Sequence, residues 1–172
     1  MFRKATMADL DRIEEIYNEI HTDEEAGRAF VNWKREVYPT RQTAKIAISA
    51  DDMFVEIDNG IIVASGRINQ EQVQEYAKAL WEFPAQKNEV MVLHTLAVST
   101  KLKKCGYGTN FVKFYEEYAI KNKCKYLRLD TWKNNRAARS LYKKLGYNEI
   151  GIVTSEFNGI SGFQLVCLEK RI

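Results

Sequence analysis

The run Lys103-Lys104-Cys105-Gly106-Tyr107-Gly108-Thr109 joins a hydrophobic stretch to an amphipathic one. Glycines at such a junction let the backbone turn sharply and approach a ligand closely. The first turn of a following helix has free N–H groups and the positive end of the helix dipole, which suits a phosphate. Lys101, Lys103 and Lys104 add cationic charge just before it. No Gly-Lys-Ser/Thr follows, so the run is not a P-loop, and the third glycine of the dinucleotide fingerprint is missing. The plainer reading is a strand-to-helix turn whose glycines permit packing. A second run, Asn135 to Tyr147, places Ala138, Leu141, Tyr142 and Leu145 on one helical face. Tyr142 is then either a core tyrosine or a phenol able to give a proton to a leaving group.

Around these runs the chain has 172 residues, 45% hydrophobic and 28% charged. That suits one soluble globular domain spanning residues 1–172. No apolar run approaches the ~20 residues of a membrane span, and no apolar stretch follows Arg3 and Lys4 as a secretory leader would require. With 26 basic against 23 acidic residues, the net charge of +3 is too balanced to indicate nucleic acid. Cys105, Cys124 and Cys167 form no Cys-x-x-Cys pair, and there are two histidines, so no metal site is expected. An odd number of cysteines fits free thiols in a reducing cytoplasm.

The elements follow from periodicity. A strand near Phe2–Ala5 opens the chain. Thr6-Met7-Ala8-Asp9 has capping-box spacing, with an aspartate in place of the longer glutamate. Leu10, Ile13, Tyr17 and Ile20 then form one apolar stripe. A second helix is expected from about Glu24, with Ala26, Ala29, Phe30, Trp33 and Val37 on one face, ended by Tyr38-Pro39-Thr40. Thr40 caps a third short helix with Ala44, Ala47 and Ile48 inward. Met53–Asp58 and Ile61–Asn69 flank Asn59-Gly60, a hairpin signal. Gln70–Phe83 reads as a helix or an ordered loop. Strands follow at Val90–Val98 and Tyr126–Trp132, and helices at Gly106–Asn122 and Asn135–Leu145, the latter stopped by Gly146. Two closing strands lie near Tyr147–Val153 and Phe163–Lys170, with Asn158-Gly159 between them. The class is α/β (α+β) with a mixed sheet, its central βαβ unit parallel and right-handed.

The two chemistry-bearing runs together resemble the Gcn5-related N-acetyltransferase (GNAT) family. The family's Arg/Gln-x-x-Gly-x-Gly/Ala motif stands here as Lys103-x-x-Gly106-x-Gly108, with Lys in place of Arg or Gln. The preceding strand, His94-Thr95-Leu96-Ala97-Val98, is similar to the family's Leu-Ala-Val signature. The later motif is matched at Asn135, Ala138, Leu141, Tyr142, Gly146 and Tyr147. The resemblance implies an acyl-CoA N-acyltransferase fold with a twisted central sheet and helices on both faces. It implies acetyl-CoA as cosubstrate, lying in a cleft between the strands Val90–Val98 and Tyr126–Trp132. The Leu96 N–H would polarise the acetyl carbonyl and hold the oxyanion. Ala97 and Val98 would follow the pantetheine arm, and the amides from Lys103 to Thr109 would hold the pyrophosphate. Asn135, with Asn134 as rival, and Ala138 would meet the pantetheine region, and Tyr142 would protonate the departing thiolate.

The implied reaction is direct attack of a primary amine on acetyl-CoA, and the amine must first lose its proton. His94 is the first candidate base. It lies two residues before Leu96, on the same strand face by period two, and the aralkylamine acetyltransferases share a His-x-Leu-Ala-Val sequence. An imidazole pKa near ~6.5 suits base work at neutral pH. The alternative is a histidine bonded across the sheet. Glu89, or a water, is the second candidate. Trp33, Tyr38, Arg41, Tyr76, Trp81 and Trp132 are candidate acceptor walls, or simply packing. Glu24, Glu25, Asp51 and Asp52 could draw in a cationic amine or face solvent. The expected protein is a cytoplasmic N-acetyltransferase of small-molecule amines, monomeric or homodimeric. The alternatives are a peptide or protein N-acetyltransferase, a non-catalytic acyl-CoA sensor, or an interaction domain in which the glycine run is only a turn.

Overall fold

A computed structural model describes residues 1–102, 105–157 and 160–172. Lys103, Lys104 and the Asn158-Gly159 turn lie outside the described residues. Seven strands form a mixed sheet in the order β1-β2-β3-β4-β5-β7-β6: β1 Phe2–Lys4, β2 Met53–Asp58, β3 Ile61–Asn69, β4 Val90–Val98, β5 Tyr126–Trp132, β6 Asn148–Phe157 and β7 Ile160–Arg171. Four α-helices accompany them: α1 Leu10–Glu25, α2 Arg41–Ser49, α3 Tyr107–Lys121 and α4 Arg136–Lys144. The chain divides into two compact units. The first is Met1–Ile68 with His94–Phe114; the second is Asn69–Leu93 with Tyr115–Ile172.

In the first unit the α1 stripe is buried as its spacing predicts: Leu10, Ile13, Ile16, Tyr17 and Ile20 pack with Ala44, Ala47 and Ile48 of α2 and with Met53, Val55, Ile62 and Ala97 of the strands. Asp9 anchors the entry to α1, accepting from the Thr6 backbone N–H at 2.7 Å and ion-pairing Arg3 at 2.7 Å. These bonds hold its carboxyl down at about 2, the Arg3 hydrogen bond first among the causes. Thr40 caps α2 by accepting from the Thr43 N–H. The β2–β3 hairpin turns on Asn59 and Gly60, both at positive φ (47° and 78°), as a type I′ turn demands.

The helix expected from Glu24 does not form. α1 ends at Glu25, and residues 26–40 run as turns and an isolated bridge between Lys34 and Tyr38. The reason is local. Gly27 turns left-handed at φ 70°. The Asp23 carboxylate takes Arg28 at 2.7 Å, and Glu24 accepts the backbone N–H groups of Val31 and Asn32 at 2.7 and 3.0 Å. Carboxylates that satisfy loop amides compete with a helix for the same donors. Of the apolar face that suggested a helix, Trp33 packs against the first unit's core, with Val31 beside it, while Phe30 and Val37 are exposed.

In the second unit the β4–β5 ladder is parallel and consists of Val90↔Tyr126, Met91↔Leu127 and Val92↔Arg128. β5, β7 and β6 continue antiparallel, with Asp130 opposite Cys167. The Tyr115 hydroxyl lies 2.6 Å from the Met91 carbonyl and 3.2 Å from that of Arg128. Residues 70–89 are an ordered connection with 3₁₀ turns at Gln74–Lys78 and Lys87–Glu89. A buried ion pair holds it. Arg128 Nε meets Glu169 Oε1 at 2.9 Å while Glu169 Oε2 accepts the N–H groups of Glu82 and Phe83. Arg128 also donates to the Phe83 carbonyl and to Gln72, and lies over the Trp81 ring at 4.2 Å. Among the described residues no helix is long and apolar enough to cross a membrane.

Candidate active site

The first unit carries the strand end and the glycine turn. Within β4 the burial pattern breaks: Val90 to Leu93 are buried, then His94, Thr95 and Leu96 are all half-exposed, and Ala97 is buried again. Thr95 has φ 51°. A β-branched residue in the left-handed region is a true outlier, costing about 1–3 kcal/mol. It interrupts the alternation of the strand, so the period-two argument that put His94 and Leu96 on one face does not carry through Thr95. A break at this point also reorients the amide that follows, which is that of Leu96.

Beyond β4, Ser99 and Thr100 are held by a residue that motif reading did not single out. Glu19 of α1 accepts from Ser99 Oγ at 2.6 Å and from the Thr100 N–H at 3.0 Å, with Arg12 at 3.1 Å and Lys101 at 3.7 Å. Burial works against its charge, but the Ser99 and Arg12 hydrogen bonds outweigh it and leave its pKa lowered. Gly106 then turns at φ 79° with open space where a Cβ would stand, so the position needs glycine for conformation rather than for room. Cys105 is an exposed free thiol. Gly108 and Thr109 lie in the first turn of α3, which is tethered to β2 by Tyr107 Oη to Asp58 at 2.7 Å and Asn110 Nδ2 to Glu56 at 3.2 Å. The Asp58 bond pushes the Tyr107 phenol up to about 12. Lys103 and Lys104, expected to supply charge here, lie outside the described residues.

The second unit carries the phenol. Tyr142 is buried on the inner face of α4, edge-on to Tyr147 at 5.8 Å. Among the described residues nothing hydrogen-bonds its hydroxyl. Burial, and then the charge of Asp130, raises its pKa, so it carries its proton at neutral pH. Asp130 is the second residue that motif reading missed. Its carboxyl is desolvated and rises to about 6 despite a 2.8 Å hydrogen bond from the Tyr76 hydroxyl. The signal was faint: one acid in the apolar strand Tyr126–Trp132. Asn135 is the N-cap of α4, where its Oδ1 accepts the Ala138 N–H at 3.2 Å and its Nδ2 donates to Thr131 Oγ1 at 3.1 Å. That use of its carboxamide is structural. Asn134 is an exposed turn residue.

The remaining candidates separate by surroundings. Glu89 ion-pairs Lys125 at 3.1 Å and accepts the Gln86 N–H, and the Lys125 bond lowers its pKa, which makes it a poor base. Arg41 sits in the first turn of α2, paired to Asp11 and Glu14 of α1. Tyr76 is a core residue of the second unit, packed with Val90, Val92, Val153 and Cys167, because its side chain fills that layer to reach Asp130. Trp81 stacks under Arg128. Trp33 and Tyr38 form a half-buried, edge-to-face corner with centroids 6.1 Å apart. Trp132 is half-exposed at the end of β5. Glu24 and Glu25 serve loop amides and Arg35, and Asp51 and Asp52 pair Lys4 and Arg67. Among the described residues no cluster of His, Cys, Asp or Glu could hold a metal ion.

The chain is similar to known proteins in its family and in its fold. The family model "Acetyltransferase (GNAT) family" matches residues 10–147. No curated protein sequence matches the chain. Solved structures with the same fold include a GNAT-family acetyltransferase from Streptococcus agalactiae, at TM-score 0.85 and 19% identity over 100% of this chain and 95% of that one. Another is YncA from Salmonella typhimurium, solved with its cofactor acetyl-CoA, at TM-score 0.70 and 15% identity over 99% and 92%. A third is a ribosomal-protein-alanine N-acetyltransferase from Brucella melitensis, at TM-score 0.72 and 17% identity over 100% and 99%. With a family model covering most of its length, from α1 to the residue after Gly146, this chain belongs to the GNAT acetyltransferase family.

Proposed function

We propose that the chain is an acetyl-CoA-dependent N-acetyltransferase of small-molecule primary amines, working by direct attack of the amine on the thioester. The carrying observation is the left-handed break at Thr95 immediately before Leu96. Strain of that kind persists where the surroundings enforce it, and a preorganised amide for a developing oxyanion is a use for it. The Leu96 N–H then polarises the acetyl carbonyl, and Ala97 and Val98 follow the pantetheine arm. The amides of the glycine turn through Thr109 take the pyrophosphate, helped by Lys103 and Lys104. Ala138 borders the pantetheine, and Tyr142, buried, protonated and unpartnered, gives its proton to the CoA thiolate.

For the base we favour Asp130, whose desolvated carboxyl at about 6 is ionised at neutral pH yet basic enough to accept an ammonium proton. His94, half-exposed beside Thr95, is the second reading. Trp33, half-buried and edge-on to Tyr38, offers an aromatic face to the apolar body of the amine. The free thiols at Cys105, Cys124 and Cys167 suit a reducing, cytoplasmic compartment. A non-catalytic acyl-CoA sensor would have no use for a protonated, unpartnered phenol at position 142.

Calorimetric titration with acetyl-CoA, with CoA as control, tests the donor. Saturable binding near one site per chain is expected; no binding to the folded protein overturns the reading. CoA release is then screened against small amines and against peptide α-amines. Turnover confined to the peptides would replace the acceptor assignment.

A further inference from the structure

The geometry points to Tyr38 as a positioning residue that holds Thr95 in its left-handed conformation and thereby aims the Leu96 amide. The inference rests on the acetyl-transfer reading of Leu96, and it moves Tyr38 from the acceptor wall to the support of the oxyanion site. The Tyr38 hydroxyl is hydrogen-bonded to the Thr95 hydroxyl. Thr95 needs such a partner, because a β-branched side chain resists φ 51° and a regular strand would return it to the extended region.

The segment between α1 and α2 is built to deliver the phenol. The Tyr38 and Lys34 backbones pair with each other, at 2.9 and 3.2 Å. Trp33 meets Tyr38 edge-on at 6.1 Å and Tyr17 edge-on at 6.4 Å, so the ring is fixed through Trp33 to the buried face of α1. The next residue is fixed as well, since the carbonyl of Pro39 is 2.9 Å from Nε2 of the buried His21. Residues 26–38, which the periodicity assigned to a helix, are in this reading the arm that braces the break in β4. A helix through the same residues would leave Thr95 without its brace.

The test is a double-mutant cycle on the full chain with Tyr38→Phe and Thr95→Gly. Glycine adopts positive φ without a brace, so Thr95→Gly keeps the break and removes the need for the phenol. The probe reaction is transfer of the acetyl group from acetyl-CoA to hydroxylamine. The N–O amine forms the new N–C bond, the C–S bond breaks, and CoA leaves as the thiol with the nitrogen's proton. Hydroxylamine is small and mostly unprotonated at neutral pH, so it reports the oxyanion site with little demand on acceptor walls or base. In the wild-type background Tyr38→Phe should lower kcat about fivefold, the worth of one neutral hydrogen bond, with the KM for acetyl-CoA unchanged. In the Thr95→Gly background it should cost nothing.

The same variants are read by NMR, following the Thr95 and Leu96 backbone amides. Tyr38→Phe should shift both and speed exchange of the Leu96 amide. An equal loss in both backgrounds, or unmoved Thr95 and Leu96 signals, overturns the positioning role. A rise in the KM for hydroxylamine in both backgrounds returns Tyr38 to the acceptor wall. If the wild-type protein transfers no acetyl group while the amide signals move as expected, the brace stands and the acetyl-transfer reading falls.

Discussion

Replacing Asp130 with asparagine should stabilise the protein at neutral pH. The carboxyl is held at about 6 rather than its ordinary 3.8, chiefly by desolvation. Its native form therefore binds a proton more tightly than its unfolded form. The stability it contributes is fully present below about pH 4 and is lost as pH rises through about 6. Ionised Asp130 then costs the folded state about 2–3 kcal/mol at pH 7, the lower figure allowing for the surface the residue retains. The carboxamide of the Asp130→Asn variant keeps an oxygen acceptor for the Tyr76 hydroxyl, now 2.8 Å from the carboxylate, so no donor is orphaned. Urea unfolding at intervals from about pH 4 to pH 8 measures it. Asp130→Asn should unfold at higher urea than wild type at pH 7, and the gap should close towards about pH 4. A variant no more stable at pH 7, or a gap independent of pH, refutes the desolvated carboxylate. Transfer to an amine should meanwhile fall with Asp130→Asn if Asp130 is the base, so that the variant gains stability as it loses activity.

Further outcomes follow from neighbouring groups. Tyr142→Phe should cut turnover to amines by more than about tenfold with acetyl-CoA affinity nearly unchanged, read by steady-state kinetics and calorimetry. Tyr76→Phe removes a donor to the Asp130 carboxylate and should move the acidic limb of the pH–rate profile upward by about half a unit to one unit. Glu19→Ala releases Ser99 Oγ and the Thr100 N–H at the start of the glycine turn, and should weaken acetyl-CoA binding about five- to tenfold by calorimetry. Arg128→Met leaves Glu169 buried and unpaired, which should cost about 3–5 kcal/mol in denaturant unfolding and expose residues 70–89 to amide exchange first.

Much of this protein was legible in its residues because the deciding interactions are local. The Asn59-Gly60 turn, the caps at Thr40 and Asn135, the stop at Gly146 and the alternation of periods 2 and 3.6 all act within a few residues. They placed β2, β3, β4 and β5 at their observed bounds and α3 and α4 within a residue of theirs. The glycine turn and the Asn-to-Tyr motif likewise pointed to the family because their spacing is a property of the chain. Tertiary structure decided the rest. Residues 24–38 carry helical periodicity, yet carboxylates of α1 capture their amides and give Tyr38 another task. Thr95 looks like an ordinary strand residue, and only its neighbours hold it at φ 51°. Asp130 is one acid among 23 in the sequence. Its proton affinity is raised by desolvation and held back by the hydrogen bond from Tyr76, which lies 54 residues away along the chain. Neither burial nor a partner at that distance is written in local sequence, because both depend on which surfaces meet when the chain closes on itself.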